Sequence, residues 1–215
     1  MLLSFIFSKL KTFFYFDYKL NQKSNYKTTE VTTKTENHYF AEYGWLSLDK
    51  NVKLPNAMSE WKTDDNELSA DKSATLLWSD NNGIIISRKI SMDNDYLFTI
   101  TDTITNNTNT ELETFPYARI SRNIENLPIT RSVVHEGMSA LVNGTLEELK
   151  YADIKINKTE TFESKGGWFA FSDRYWFSSF ILNDNEKTKI TFKNIDDKNY
   201  QIDYLGSRVI VPANK

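Results

Sequence analysis

Two histidines and their acidic neighbours are the residues best suited to acid–base chemistry. The chain contains only His38 and His135, and Glu136 follows His135 directly. A histidine and a glutamate on opposite sides of a substrate could act as general acid and general base. Adjacent residues of an extended backbone point to opposite sides, however, so this pair would not share one pocket. Glu136-Gly137 could instead form a surface turn, and the adjacency of His135 and Glu136 favours this interpretation.

Metal and cofactor chemistry has little support in the sequence. Residues 64–67 and 183–186 are rich in oxygen ligands, but neither has the spacing or the glycine of an EF-hand loop. The chain has no cysteine, which excludes thiolate metal sites, disulfides and cysteine nucleophiles. It also lacks a nucleophile elbow and a phosphate-binding loop. We therefore predict no catalytic residue, no metal, no cofactor and no enzyme activity.

Three large aromatic residues stand out beside the polar corner at residues 172–174. Trp168 precedes this corner, and Tyr175 and Trp176 follow it. Such side chains could line a groove that holds a partner segment or a sugar, or they could simply fill the core of a β domain. Both interpretations stay open, and we name the three residues as candidates for a groove or a partner contact.

The elements that must position these aromatics are two short apolar strands. Trp168–Phe171 and Tyr175–Leu182 flank the corner, and Gly166-Gly167 precedes them. Paired glycines supply the positive φ angles that a tight turn requires. Because the two runs are apolar on both faces, we expect them to be buried between two layers.

The rest of the chain alternates between short strand patterns and turn residues. Asn82-Gly83 predicts a hairpin. Tyr96–Thr105 alternates apolar residues with threonines, and this strand could accept a partner strand if it lay at a sheet edge. A single helical turn is predicted around Leu146–Tyr151. Regularly spaced strands without long helices indicate an all-β antiparallel sandwich. Further strands are predicted at Ala74–Trp78, Ile84–Ile90, Glu113–Ile120, Met138–Val142, Thr188–Lys193, Tyr200–Tyr204 and Ser207–Val211.

The first 38 residues differ in character from the remainder. An apolar stretch is interrupted by Lys9 and Lys11, which makes it too short for a transmembrane helix and wrongly ordered for a secretion signal. We interpret residues 1–38 as an N-terminal extension that ends in a polar linker. Its first part is either an amphipathic helix or a sequence that begins outside its natural context. The helix would have one apolar face, formed by Leu3, Ile6, Phe7, Leu10, Phe13 and Phe14. The domain is predicted at residues 39–215.

Composition bounds the class of protein. The 215 residues are 40% hydrophobic and 14% aromatic, which excludes a disordered chain. The net charge is −3 and the basic residues are dispersed, so the sequence indicates no basic surface for binding nucleic acid.

Two motif blocks together carry a family resemblance. The first is Gly166-Gly167-Trp168 with Asp-Arg-Tyr-Trp at 173–176, and the second runs from Glu136-Gly137 through Asn143-Gly144 and Leu-Glu-Glu at 146–148 to Tyr151. Over residues 39–215 the chain resembles the periplasmic domain of bacterial membrane protein insertases of the YidC/Oxa/Alb family. Ala170 is a departure, because the family usually places a glycine there.

The resemblance implies a β-supersandwich similar to galactose mutarotases, located at the bacterial inner membrane and facing the periplasm. It further implies a non-catalytic scaffold, chaperone-like surface or docking module whose partners are membrane protein substrates and Sec translocon components. The alternative is a carbohydrate-binding or aldose-epimerase-like protein, since one fold can host either function.

The resemblance also leads us to expect a truncated or split-gene fragment. The family's membrane anchor and five-helix bundle, with its groove arginine, have no counterpart in this sequence. We expect the fold to be incomplete at its N-terminal end. Missing strands would leave an unpaired edge, which favours aggregation or pairing with another chain.

Overall fold

The regular elements of the described chain are all β-strands. The computed structural model describes residues 2–6, 14–15, 39–63, 67–95, 97–125, 135–173, 176–184 and 186–215. Within these residues, the strands pair antiparallel in two sheets, one of eight strands and one of seven. The predicted all-β antiparallel fold class is confirmed. The likeness to galactose mutarotases stays a prediction.

Fifteen strands are present in the described residues. Their bounds are β1 Leu2–Ile6, β2 Phe14–Tyr15, β3 Tyr39–Leu46, β4 Ala74–Ser79, β5 Ile84–Met92, β6 Leu97–Asn106, β7 Leu112–Asn123, β8 Gly137–Val142, β9 Thr145–Lys150, β10 Thr159–Lys165, β11 Trp168–Asp173, β12 Trp176–Ile181, β13 Lys187–Asn194, β14 Asn199–Leu205 and β15 Val209–Val211. The eight-stranded sheet has the order β4-β5-β6-β1-β12-β11-β8-β9, and the seven-stranded sheet has the order β10-β13-β14-β7-β3-β2, with β15 paired to β7.

The inner faces of the two sheets form one apolar core. Phe169 and Phe171 of β11 are fully buried, as are Ile120 of β7 and Ile202 of β14 in the other sheet, and all four belong to the same cluster. Alternate residues of each strand therefore point into the core, as the period of a β-strand requires. The remaining residues of each strand form the outer faces.

The threonine-rich strand lies inside its sheet. The predicted strand is present as β6, but β5 pairs along one side of it and β1 pairs with Leu97–Thr101 on the other. The prediction that this strand could accept a partner strand at a free edge is therefore wrong for residues Leu97–Thr101. Because its donors and acceptors there are already used, no incoming strand can bind to them.

The helical turn predicted at Leu146–Tyr151 is also wrong. Residues Thr145–Lys150 form β9, which pairs with β8 in a hairpin. The two turn residues, Asn143 and Gly144, have φ angles of 49° and 83°. Positive φ at both positions is the type I′ geometry that joins adjacent antiparallel strands, and this turn overrides the local helix propensity.

Part of the predicted amphipathic helix is a strand. Leu2–Ile6 forms β1 and pairs with β6 on one side and β12 on the other. A helix there would leave backbone groups of both neighbours unpaired, which is costly inside a protein. The other predicted helical positions and the polar linker at 17–37 lie outside the described residues, except Phe14 in β2. The boundary at residue 39 stays a prediction.

Candidate interaction surface

The double glycine before β11 is a point of close backbone contact. Gly167 has a φ angle of +93°, and a Cβ atom there would lie 2.0 Å from the carbonyl oxygen of Leu141 in β8. Gly166 has a φ angle of +69° and would place a Cβ atom 2.7 Å from the Cα atom of Asp184. A side chain at either position would collide with backbone. The glycines therefore allow β11 to enter the sheet directly beside β8.

The polar corner after β11 is tied to the opposite sheet. Asp173 Oδ2 lies 2.9 Å from Arg122 Nη2 of β7, and Asp173 Oδ1 accepts a hydrogen bond of 2.8 Å from the Tyr151 hydroxyl. Nearby, the Tyr39 hydroxyl of β3 donates to Ser178 Oγ of β12. Burial, and then the charge of Asp173, raise the pKa of Tyr39 and Tyr151 well above the usual range. These polar contacts join the two sheets at one end of the sandwich.

Trp168 lies on the outer face of the eight-stranded sheet. Its Cα partners are Leu141 of β8 and Ile181 of β12, and Leu141 is opposite Leu146 of β9. Directly opposed residues share a face, so these four side chains form one apolar row across four strands. Phe177 of β12 completes the surface, with its ring centroid 5.4 Å from that of Trp168. We call these five residues the Trp168 patch.

The Trp168 patch faces solvent. Leu146 is 52% exposed, Phe177 is 46% exposed and Ile181 is 39% exposed. Small residues lie among these large ones on the same outer face, and they are almost fully buried: Ser139 is 3% exposed, Ala170 is 0% and Ser179 is 2%. Since Ala170 is opposite both serines, the row of small residues lies between Trp168 and Phe177, whose edge-to-face contact shields it.

The three aromatic candidates from the sequence have different outcomes. Trp168 is a half-buried member of the exposed patch. The backbone of Trp176 lies at the start of β12, where it is opposite Asp173. Tyr175 lies outside the described residues. The structure thus brings only Trp168 of the three to a described surface, and the groove role of all three stays a prediction.

Sequence reasoning missed the other members of the Trp168 patch. Phe177 and Ile181 lie within the predicted strand Tyr175–Leu182, which was expected to be buried on both faces. Leu146 was assigned to a helical turn. Phe177, Ser179 and Ile181 lie on one face of β12, and Ser178 and Phe180 lie on the other, so both faces combine serine with large apolar residues. The local sequence therefore carries no signal that distinguishes the exposed face.

A second buried ion pair supports the other side of the core. Arg88 of β5 donates to both carboxylate oxygens of Asp102 of β6, at 2.8 and 2.7 Å. Trp45 Nε1 donates to the same carboxylate at 2.7 Å. Burial alone would lower the pKa of Arg88, but its hydrogen bonds to Asp102 outweigh burial and raise the pKa. Both carboxylate oxygens of Asp102 thus accept hydrogen bonds from buried partners, which is typical of a structural ion pair.

A small cavity lies beside this ion pair. It is lined by residues that include Glu42, Trp61, Arg88 and Tyr117, and its volume is about 20 Å³. Sites for small molecules have volumes of ~300–1,000 Å³, whereas a cavity of this size holds about one water molecule. It cannot accommodate a sugar ring.

The predicted acid–base candidates are not assembled into a site by the described contacts. His135 Nδ1 lies 3.8 Å from Glu148 Oε1 of β9, and His135 Nε2 lies 3.2 Å from the carbonyl oxygen of Met138. The ring is thus placed against β8 and β9. His38 lies outside the described residues. In the part of the chain that the structure describes, no three His, Asp or Glu side chains are grouped as metal ligands would be.

Comparisons with known proteins agree with the two motif blocks. The family model described as "YidC periplasmic domain" matches residues 9–215, a range that begins before the predicted boundary at residue 39. The chain is 34% identical to the "Membrane protein insertase YidC" of Rickettsia bellii (strain OSU 85-389), over 82% of this chain and 32% of the relative. It is 36% identical to that of Rickettsia prowazekii (strain Madrid E), over 83% and 33%. It is 33% identical to that of Rickettsia canadensis (strain McKiel), over 92% and 37%.

The chain spans about a third of the length of the curated relatives that it matches. Among the residues whose structure is described, no helix is long and apolar enough to cross a bilayer. The family model nevertheless covers nearly all of the sequence and includes both motif blocks. The chain belongs to the YidC periplasmic domain family.

Proposed function

We propose that the chain assists membrane protein insertion as a non-catalytic docking module, located at the bacterial inner membrane and facing the periplasm. Its family is one of insertases and not of enzymes, and the relatives are named for membrane protein insertion. The insertion step is a property of the whole relatives, of which this chain matches a third. The role proposed here is to bind partners of that step.

The observation that carries the proposal is the Trp168 patch. An apolar row that crosses four strands and includes side chains exposed by 39–52% is unusual for a face that stays in water. Large aromatic residues at the centre of such a patch supply most of the binding energy in protein interfaces. Trp168 and Phe177 occupy this position, so the patch has the composition of a docking face.

The burial of the polar motif residues supports a non-catalytic role. Asp173 and Arg122 are engaged with each other, and their side chains are 7% and 14% exposed. A catalytic acid or base must reach a substrate. Here the Asp173 carboxylate instead joins the two sheets, as expected of a scaffold in which the motif residues stabilise the fold.

Two classes of partner fit this surface. Membrane protein substrates expose apolar segments before insertion, and such segments would cover the Trp168 patch. Sec translocon components, which the family resemblance suggested, are the second class. Tyr175 and Trp176 remain candidates for a partner contact.

The proposal can be tested with the purified chain and immobilised partners in detergent, namely the Sec translocon and an apolar membrane protein substrate. Wild-type chain is expected to bind at least one of them, and the double variant Phe177→Ser/Ile181→Ser is expected to bind at least tenfold more weakly. Thr103→Ser changes an exposed residue of β6 in the same sheet and serves as the matched control. Equal binding by all three proteins, or binding by none, would overturn the proposal.

A further inference from the structure

The outer edge of β9 is the starting point. In the sheet order of the described residues, β9 is the last strand of the eight-stranded sheet, next to β8. Leu146 of the Trp168 patch belongs to this strand. The edge therefore continues an exposed apolar row, and a strand that pairs there would extend that row.

The hairpin turn determines which backbone groups point away from β8. In a two-residue hairpin the pair that closes the turn, Val142 and Thr145, is hydrogen-bonded, and the pattern alternates from there. Glu147 thus bonds to β8, whereas Leu146 and Glu148 direct their N–H and C=O groups outward. The carbonyl of Lys150, which has the same parity, accepts a hydrogen bond from Asp153 N outside the sheet, in agreement with this geometry.

Two other edges of the described sheets, those of β4 and β10, already have partners. On the outer side of β4, Lys62 and Leu77 exchange two backbone hydrogen bonds. On β10, the Asn143 side chain donates to the Glu163 carbonyl and accepts from Lys165 N. Both contacts block pairing with a further strand. Along β9, the outward groups of Leu146 and Glu148 make no such contact among the described residues.

The side chains of β9 determine which strand would fit. On the outer face, Leu146, Glu148 and Lys150 follow one another, and all three are exposed. Opposite charges directly across a strand pair stabilise it, and like charges destabilise it. Two copies of β9 centred on residue 147 or 148 place identical glutamates opposite each other. A register centred on residue 149 pairs Glu148 with Lys150, but it places Leu146 opposite Ala152, which lies in the turn after β9. The edge is thus unsuited to a second copy of itself.

We propose that β9 binds an extended peptide segment of another protein by antiparallel strand addition. Read in its own direction, this segment has an acidic residue opposite Lys150, a basic residue two positions later opposite Glu148, and an apolar residue two positions later opposite Leu146. The apolar residue extends the row to Trp168. This mode of recognition uses main-chain hydrogen bonds for affinity and alternate side chains for specificity. It rests on the proposed function in one respect, since it takes the Trp168 patch to be a docking face.

The test uses the whole isotope-labelled chain, two synthetic nine-residue peptides and NMR hydrogen exchange. One peptide has the core Asp-Thr-Lys-Thr-Leu, and the other has the charge-swapped core Lys-Thr-Asp-Thr-Leu. The first peptide should slow exchange of the Leu146 and Glu148 amides at least tenfold. The Glu147 amide, which already bonds to β8, should change little and is the internal control. The swapped peptide should bind about fivefold more weakly, because two charge pairs become repulsive.

A charge-reversed protein completes the test. Glu148→Lys/Lys150→Glu alters two exposed residues and should prefer the swapped peptide over the first one. Three results would overturn strand addition. The Glu147 amide could be protected as much as the Leu146 amide, neither peptide could protect any amide, or the wild-type chain could bind both peptides with equal affinity. Failure of this experiment while the Phe177→Ser/Ile181→Ser variant still loses translocon or substrate binding would remove only the strand addition. Peptide binding without any such partner binding would remove the proposed function and leave the β9 edge as a recognition site.

Discussion

Arg122 and Asp173 form an ion pair between the two sheets, with Arg122 Nη2 2.9 Å from Asp173 Oδ2. The Arg122 guanidinium also lies over the ring of Tyr39, 4.4 Å from its centroid. Both charged side chains are largely removed from solvent. Asp173 of the first motif block therefore has a structural role, because it holds one end of the sandwich together.

Removing one member of this pair should be costly. Asp173→Ala leaves Arg122 charged and mostly buried, and it removes the acceptor of the Tyr151 hydroxyl. We expect the free energy of unfolding to fall by about 3–5 kcal/mol, as for other buried pairs that lose one partner. Urea denaturation would measure this change.

The control for that variant is an exposed ion pair. Arg208 and Glu113 lie 3.4 Å apart, with side chains 57% and 40% exposed. Glu113→Ala should change stability by less than about 1 kcal/mol. Similar losses for Asp173→Ala and Glu113→Ala would show that the inter-sheet pair is not a structural element.

Gly167→Ala should be much more damaging than Gly144→Ala. The new methyl group would meet the Leu141 carbonyl at 2.0 Å, so β8 or β11 must move, and we expect a loss of about 3 kcal/mol or more. Gly144→Ala is the matched control, since it has a φ angle of +83° but no atom within 4 Å of the added carbon. It should cost about 1–2 kcal/mol from backbone strain alone. Equal thermal stabilities of the two variants would refute the close-contact explanation.

Much of the fold could be predicted because alternation is a local property. The strand at Tyr96–Thr105 shows a period of two and was identified to within one residue at each end. The helical turn at Leu146–Tyr151 was wrong because Leu-Glu-Glu-Leu-Lys favours helix locally, and only pairing with β8 makes it a strand. The polar edge strand β10 shows no apolar period and was missed.

The site was harder to predict than the fold. Trp168 was identified as a candidate from its size and position, but whether it lies in the core depends on strand register. Leu146 and Ile181 reach the same row only because β8 and β11 lie between their strands. Such long-range pairing is not encoded in any local pattern. The inter-sheet partner of Asp173, Arg122 on β7, was missed for the same reason.

Tyrosine ionisation should destabilise the chain at alkaline pH. Burial is the largest cause of a raised pKa in each of five tyrosines. In the unfolded chain their pKa is about 10. Since the folded pKa is higher, the folded state retains protons that the unfolded state releases, and stability falls as pH rises above about 10. These tyrosines are Tyr39, Tyr43, Tyr117, Tyr151 and Tyr204.

Tyrosinate absorbance and circular dichroism, recorded together during an alkaline titration, would check this. The five tyrosines should ionise only when the β signal is lost. Full ionisation of all eleven tyrosines near pH 10 in a still folded chain would contradict the burial that the structure describes.

Substitution within the Trp168 patch should affect binding much more than stability. Phe177 and Ile181 are each exposed by about two fifths or more, so Phe177→Ser and Ile181→Ser should each cost about 1 kcal/mol or less. Phe180→Ala, in the same strand but fully buried, should cost about 3–5 kcal/mol. Thermal unfolding would rank the variants. A loss for Phe177→Ser as large as that for Phe180→Ala would mean that the patch belongs to the core.

The most direct test of the central claim is photo-crosslinking from the Trp168 patch in living bacteria. A photoreactive amino acid replaces Phe177 in one strain and the exposed Thr103 of the same sheet in another, and products are identified with antibodies to Sec translocon subunits and to an inner-membrane substrate. The docking role predicts crosslinks to at least one of these partners from position 177 and none from position 103. No crosslink from position 177, or equal crosslinks from both positions, would contradict it.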